Sequence, residues 1–222
     1  MQKTINRKLI TQIALTTIAL IGFVLLAALV MRGYVFKIDQ FNVAVANNRN
    51  NFWNGFFKLF THIGEFPIMA GLAVVGVILI WFVMKNKRMS AFYAVCFVCV
   101  CLANLVLKKI VRRVRPEHLM MIEETGFSFP SGHAMLIFAF GALAIHFIWK
   151  TIQNKPLKIA LISALVLLIG LMGFSRIYLG VHYLTDIIAG FLCSFVIVML
   201  FIMLYNTRLF KFLKDKEKTN EE

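Results

Sequence analysis

Three short clusters in this 222-residue chain carry side chains able to do chemistry. The first runs from Lys108 to Pro116 and reads KKIVRRVRP. The second is Phe129-Pro130-Ser131-Gly132-His133, and the third runs from Ser175-Arg176 to His182 and Asp186. Lys108, Arg115 and Arg176 offer fixed positive charge, and a guanidinium fork meets phosphate oxygens two at a time. Ser131-Gly132 stands where a helix begins, so free amides and the positive end of the helix dipole face an anion there. Gly132 also lets backbone come close. All of these features favour a phosphate. His182 and Asp186 are spaced i, i+4, which on a helix puts them on one face. A carboxylate so placed holds the proton of one imidazole nitrogen and leaves the other as a nucleophile. His133 is a second imidazole, able to protonate a departing alkoxide. Together these groups are the set that in-line phosphoryl transfer through a phosphohistidine requires.

The elements that hold these residues follow from composition. The chain is 60% hydrophobic and 15% charged, where a soluble domain averages about 25% charged. Its mean hydropathy is +0.81 and it contains 22 phenylalanines. A water-soluble fold this apolar would lack the polar surface to cover its core. A soluble domain, a disordered chain and a disulfide scaffold are therefore excluded, and the bilayer is the main solvent. Six apolar stretches stand out, at about 9–31, 68–84, 90–107, 132–149, 157–174 and 187–205. Each is close to the length a helix needs to cross a bilayer, and none alternates apolar with polar as a barrel strand would. The expectation is an all-α polytopic membrane protein: one domain over 1–222, six transmembrane helices and a charged tail over 211–222. The first stretch has a basic start, like a signal peptide, but its apolar part is too long for one and reads as a retained anchor. Between the first two spans, Phe52, Trp53, Phe56, Phe57, Phe60 and Ile63 recur at helical spacing. An amphipathic helix lying in the headgroup region fits this stripe. So does a segment packed against the other helices.

The formal net charge is +14. The bases are dispersed among apolar spans rather than gathered on one soluble face, which argues against nucleic acid and for contact with anionic headgroups. Fourteen Lys and Arg flank the spans on the side of the termini and ten on the other, a bias that places both termini in the cytoplasm. The loop from Lys108 to Arg115 runs against that rule, and a functional demand would explain it. Alternation of the spans then gathers all three clusters at the extracytoplasmic face, where four helix ends can line one pocket. A phosphate held there lies at the membrane surface. Cys96, Cys99, Cys101 and Cys193 fall inside apolar runs and read as packing residues rather than a redox or zinc pair. Arg112 and Arg113 read as headgroup contacts, and Glu123 and Glu124 as a solvated loop, with repulsion of an entering anionic substrate as their alternative reading. His62, His118 and His146 belong to none of the three clusters; His146, in the fourth span, reads as a helix-packing or headgroup residue and His118 as a loop residue.

Lys108, Arg115 and Pro116 spell K-x6-R-P, Pro130–His133 spell P-S-G-H, and Ser175, Arg176, His182 and Asp186 spell S-R-x5-H-x3-D. In these residues the chain resembles the type 2 phosphatidic acid phosphatase family, in its bacterial six-span form, without a departure from the three-part signature. The resemblance implies a lipid phosphatase with His182 as nucleophile, Asp186 as its orienting carboxylate and His133 as the acid. Lys108, Arg115, Ser131, Gly132 and Arg176 would bind phosphate, with no metal and no cofactor. The implied partner is a lipid phosphate in the bilayer. Phosphatidylglycerol phosphate would place the chain in phospholipid synthesis, and undecaprenyl diphosphate in recycling of the cell-wall carrier lipid. The long first outer connection favours the former. A lipid-binding or transport protein is the reading from another class. It sits poorly with charges clustered at one interface and two halves that show no similarity. A scaffold would leave the His182–Asp186 pairing unexplained.

Overall fold

The structure, a computed structural model, describes residues 2–206; the charged tail expected over 211–222 lies outside the described residues. Helix starts are set by side-chain oxygens that accept an otherwise orphaned amide. Asn50 accepts from Trp53, Asn86 from Met89 and Asn154 from Leu157, at 3.0–3.1 Å. The helices they open, with the others, are α1 (Gln2–Met31), α2 (Phe36–Asp39), α3 (Phe41–Asn47), α4 (Asn51–Phe60), α5 (Phe66–Met84), α6 (Lys87–Val111), α7 (Gly132–Thr151), α8 (Lys155–Tyr178) and α9 (Leu184–Asn206). Short 3-10 turns cover Thr61–Gly64 and Glu117–Leu119. Six helices are long and apolar enough to cross a membrane: α5 to α9 and the Leu9–Met31 part of α1. This is a multi-pass membrane protein.

The six differ in how much they bury. In their most apolar stretches α6, α7 and α9 are 39–44% buried, whereas α1, α5 and α8 are 11–17% buried. The first three therefore form the centre of the bundle, and the others turn apolar side chains outward to lipid. The centre is closed by Val100, Ile137, Met69, Met89, Met135 and Met172, the four methionines being flexible side chains that fill irregular gaps between helices. Two buried hydroxyls are satisfied by backbone: Ser90 donates to the Val77 carbonyl and Ser194 to that of Met135.

The connection from α1 to α5 folds over one end of the bundle, α2 against α9 and α3 and α4 against α8. Helix α4 divides the aromatic stripe between the two roles it suits. Phe57 is buried, its ring 4.7 Å from Tyr178 and 5.6 Å from Phe174. Phe52 and Leu59 are about three-quarters exposed at the rim.

Two helices outrun their apolar stretches. Helix α6 continues to Val111 and α8 to Tyr178, so Lys108, Ser175 and Arg176 are helical. Helix α9, by contrast, begins only at Leu184, and His182 stands in the turn before it. The expectation that His182 and Asp186 share a helix face is corrected. The turn is forced at Gly180, whose φ of +72° suits glycine and where a Cβ would collide with the Leu119 carbonyl.

Candidate active site

His182 is held from both sides by its backbone. The Val181 and His182 amides donate to the Arg176 carbonyl (3.1 and 3.3 Å), closing the turn onto the end of α8. Asn42, buried on α3, donates to the His182 carbonyl (2.7 Å) and accepts from the Leu184 amide (3.1 Å). The first connection thus clamps the turn, although it lies 140 residues away in sequence. Across from it, the Ser131 amide donates to the Asp186 carbonyl (3.2 Å), joining the start of α7 to the first turn of α9.

The imidazole is almost fully buried. Its Nε2 lies 3.2 Å from Arg115 Nη1, and a guanidinium can only donate, so Nε2 accepts and the ring proton resides on Nδ1. Nδ1 is 3.6 Å from Asp186 Oδ2, longer than a hydrogen bond. The gap is bridged by Ser128, whose hydroxyl donates to Asp186 Oδ2 and lies 3.3 Å from Nδ1. The Tyr183 amide also donates to Oδ2 (2.9 Å). Burial first, and then the charges of Arg115, Arg176 and Lys108, hold the His182 pKa well below the usual histidine range. The ring is therefore neutral at physiological pH, with an unprotonated Nε2 on the side of the cations.

A cavity of about 430 Å³ is lined by His182 and Arg115. Its polar end is formed by Lys108, Arg115, Glu124, His133 and His182, and its wall by Phe66, Cys101, Leu105 and Leu136. Cys101, Leu105 and Lys108 follow one face of α6, so the apolar wall extends roughly 10 Å from the charged end at 1.5 Å per residue. His133 stands in the first turn of α7 with Nε2 buried and without a hydrogen-bond partner. It is approached by the 3-10 turn at Gly64, where a Cβ would lie 2.6 Å from the His133 ring and 2.8 Å from Met172 Sδ. Ser131 caps α7 by accepting from the Ala134 amide (3.4 Å) and is buried. Gly132 lines the cavity. A Cβ on it would press to 3.2 Å on the Asn104 side chain, which itself donates to the Pro130 carbonyl.

The cations are fixed before any ligand arrives. Arg115 donates to the carbonyls of Val181, Gly126 and Thr125 at 2.8–3.2 Å, and burial lowers its pKa. Arg176, fully buried, donates through Nη1 to Thr61 Oγ1. Lys108 donates to the Phe127 carbonyl. All eight residues expected at the site converge on this end of the bundle.

Two further expectations are overturned. Glu124 is not a solvated loop residue: one carboxylate oxygen accepts from Arg176 Nη2 and the other lies 3.5 Å from Arg115 Nη2, because the two buried guanidiniums draw the nearest anion. Arg113 is not a headgroup contact. Its Nη1 donates to Asp186 Oδ1 (2.6 Å) and its Nη2 to Asp39 Oδ2. The residue after α6, Arg112, adopts a left-handed conformation (φ 50°) that ends the helix. Position 113 therefore leaves the helical register that pointed it to lipid. Ser128, Asp39, Thr61 and Asn104 also escaped sequence reasoning. Each is a common residue type with no spacing to mark it.

A model of the PAP2 superfamily matches residues 89–210. The chain is 32% identical over 172 residues to phosphatidylglycerophosphatase B of Bacillus subtilis (strain 168), covering 76% of this chain and 84% of the relative. It is 26% identical over 129 residues to an undecaprenyl-diphosphatase of Sulfolobus acidocaldarius, covering 55% of this chain and 58% of that one. The fold matches the crystal structure of a transmembrane PAP2 type phosphatidylglycerolphosphate phosphatase from Bacillus subtilis. The TM-score is 0.78 at 27% identity, over 85% of this chain and 94% of that one.

Proposed function

The chain belongs to the PAP2 superfamily and is a membrane lipid phosphate phosphatase; we propose that it hydrolyses phosphatidylglycerol phosphate to phosphatidylglycerol at the extracytoplasmic face, through a phosphohistidine on His182. The observation that carries the reading is the shape of the cavity, charged at one end and apolar along its wall. A soluble phosphate ester would have no use for the apolar wall, whereas a lipid phosphate fills both parts.

The chemistry follows from the geometry. An incoming phosphate takes over the Arg115 donor that rests on His182 Nε2 and frees the lone pair of that nitrogen. Nε2 attacks phosphorus, the bond from phosphorus to the lipid oxygen breaks, and His133 gives the leaving alkoxide its proton. The phosphorylated ring carries positive charge, which the Ser128–Asp186 chain meets at Nδ1–H. Water, deprotonated by His133, then attacks phosphorus, releasing inorganic phosphate and restoring His182. Lys108, Arg115, Arg176 and the leading amides of α7 bear the charge on the equatorial oxygens, so the chain's own groups supply what the reaction needs without a metal.

Undecaprenyl diphosphate is the second reading, favoured by the similarity to an undecaprenyl-diphosphatase. The test is phosphate release by purified protein in detergent with chelator present. The panel is phosphatidylglycerol phosphate, undecaprenyl diphosphate, phosphatidic acid and a soluble ester, with His182→Ala as control. The expected result is preferential release from phosphatidylglycerol phosphate, abolished in His182→Ala. Faster release from the diphosphate would install the second reading, and unimpaired His182→Ala would remove the proposed nucleophile.

A further inference from the structure

Asp186 is fully buried, and its two oxygens face different groups. Oδ2 serves the nucleophile side, receiving Ser128, the Tyr183 amide and, at 3.6 Å, His182. Oδ1 faces away and receives Arg113 Nη1 at 2.6 Å. The same Nη1 donates to Thr185 Oγ1 (2.7 Å), while Nη2 reaches Asp39 on α2. Thr185 closes the ring: its hydroxyl lies 2.9 Å and its amide 3.3 Å from Asp39 Oδ1. The Arg113 guanidinium carbon also lies over Tyr183, 3.9 Å from the ring centroid, within the range of a cation–π contact. None of Arg113, Asp39, Thr185 and Asp186 lines the substrate cavity.

We infer that Arg113, anchored by Asp39, is a positioning residue for phosphoryl transfer: it fixes the Asp186 carboxylate in place, so that Oδ2 stays directed at the Ser128–His182 pair. The inference rests on the reading of His182 as nucleophile. The physical need is plain. A carboxylate removed from water needs a paired cation and hydrogen bonds to hold its place, and the positive charge on the phosphorylated ring is met only while Oδ2 stays beside Ser128. Arg115, Arg176 and Lys108 do not meet that need, because they stand on the phosphate side of His182. Among the described residues Arg113 alone donates a guanidinium N–H to Asp186, and its own second donor is satisfied by Asp39 from the first connection. The site thus has two separate charge sets, one that holds substrate and one that holds the nucleophile.

Arg113→Gln, Arg113→Lys, Asp39→Asn and the double variant Arg113→Gln/Asp39→Asn are assayed on the best lipid substrate, with wild type and His182→Ala as references. Rates are scaled to folded protein by size exclusion. Arg113→Gln is expected to lower kcat by about ten- to a hundredfold, the range of one hydrogen bond to a charged group, with KM within about twofold. Arg113→Lys, which keeps a charge but cannot reach two carboxylates in one plane, should recover part of kcat. Asp39→Asn is nearly isosteric and stays informative even if the arginine variants fold poorly. It should lower kcat on its own and add little in the double variant, because Asp39 acts through Arg113. A merely structural role would lower the yield of folded protein and leave its kcat intact. Unchanged kcat in both Arg113→Gln and Asp39→Asn, or a rise in KM alone, would overturn the inference while leaving the lipid phosphatase reading intact. Wild-type protein inactive on every lipid would overturn both.

Discussion

Glu124 occupies the place where a substrate phosphate is expected to bind, and removing its charge should tighten anion binding. In the free protein its carboxylate accepts from Arg176 Nη2 and lies 3.5 Å from Arg115 Nη2. Both guanidiniums are buried, while the carboxylate is a quarter exposed. A phosphate that uses these donors must break the contacts first. A hydrogen bond between charged groups contributes about 1.5–3 kcal/mol, and a longer, partly exposed contact at most about 1. Glu124→Gln keeps the shape and a neutral acceptor but gives up the charge. Roughly half of the bond is then lost, about 1–2 kcal/mol, which corresponds to about five- to thirtyfold. The cations should remain in place without it, since Arg115 is held by three carbonyls and Arg176 by Thr61. The assay is inhibition of lipid phosphate release by tungstate, with the thermal midpoint in detergent as a check on folding. The expected outcome is an inhibition constant lower by about tenfold at an unchanged midpoint. Equal or weaker inhibition in Glu124→Gln, with the fold intact, would mean that carboxylate and phosphate do not compete, and the reasoning would fail.

Gly64→Ala forces a Cβ to within 2.6 Å of His133 and 2.8 Å of Met172. It should cost about 1–3 kcal/mol of stability and lower kcat more than it raises KM; a stable, fully active variant would show that His133 has room to move. Because the His182 pKa is held well below its usual value by burial and by Arg115, Arg176 and Lys108, its stabilisation is complete above the unfolded value near 6.5. As pH falls below that value the unfolded chain takes a proton that the folded ring refuses, so stability declines by up to about 1.4 kcal/mol per pH unit. Thermal midpoints from pH 7.5 to 4.5 should fall less steeply in His182→Gln, and parallel slopes would argue against a buried neutral ring. Arg176→Lys leaves a point charge where Nη1 and Nη2 now serve Thr61 and Glu124 separately. Phosphate release should fall at least tenfold, one lost hydrogen bond to a charged group being about 1.5 kcal/mol, and near wild-type turnover would show that only charge is needed there.

The spans and the three clusters were legible because each leaves a local mark. Twenty apolar residues admit one structure in lipid, and His133, His182 and Asp186 stand at spacings tied to helix ends. What stayed hidden depends on where the chain leaves a helix. Arg112 and Arg113 are adjacent and of one type, yet Arg112 ends α6 in a left-handed conformation and Arg113 is thereby turned inward to Asp186. Periodicity carried past the end of a helix assigns such a residue to the wrong side. His182 illustrates the converse: it precedes α9, and Ser128 mediates the contact to Asp186 that a shared helix face was expected to make directly.

Asp39 was out of reach for a different reason. Its partners Arg113 and Thr185 lie 74 and 146 residues away, and no pattern within the first connection marks one aspartate as buried. Yet burial was to be expected somewhere. A site that gathers Lys108, Arg113, Arg115 and Arg176 at one end of a low-dielectric bundle cannot hold together without anions between them. Asp186 alone is too few, and only ten acidic residues exist in the chain, four of them in the tail. Counting charge at the site therefore demands that the few acidic residues of the connecting loops come to it. The structure brings such residues there, Asp39 to Arg113 behind Asp186 and Glu124 to Arg115 and Arg176. The two differ in what a substrate does to them. In the proposed reaction a phosphate at Arg115 and Arg176 would replace the charge of Glu124, whereas nothing in that reaction would replace Asp39, so the Arg113–Asp39 pair is the one that has to persist through the cycle.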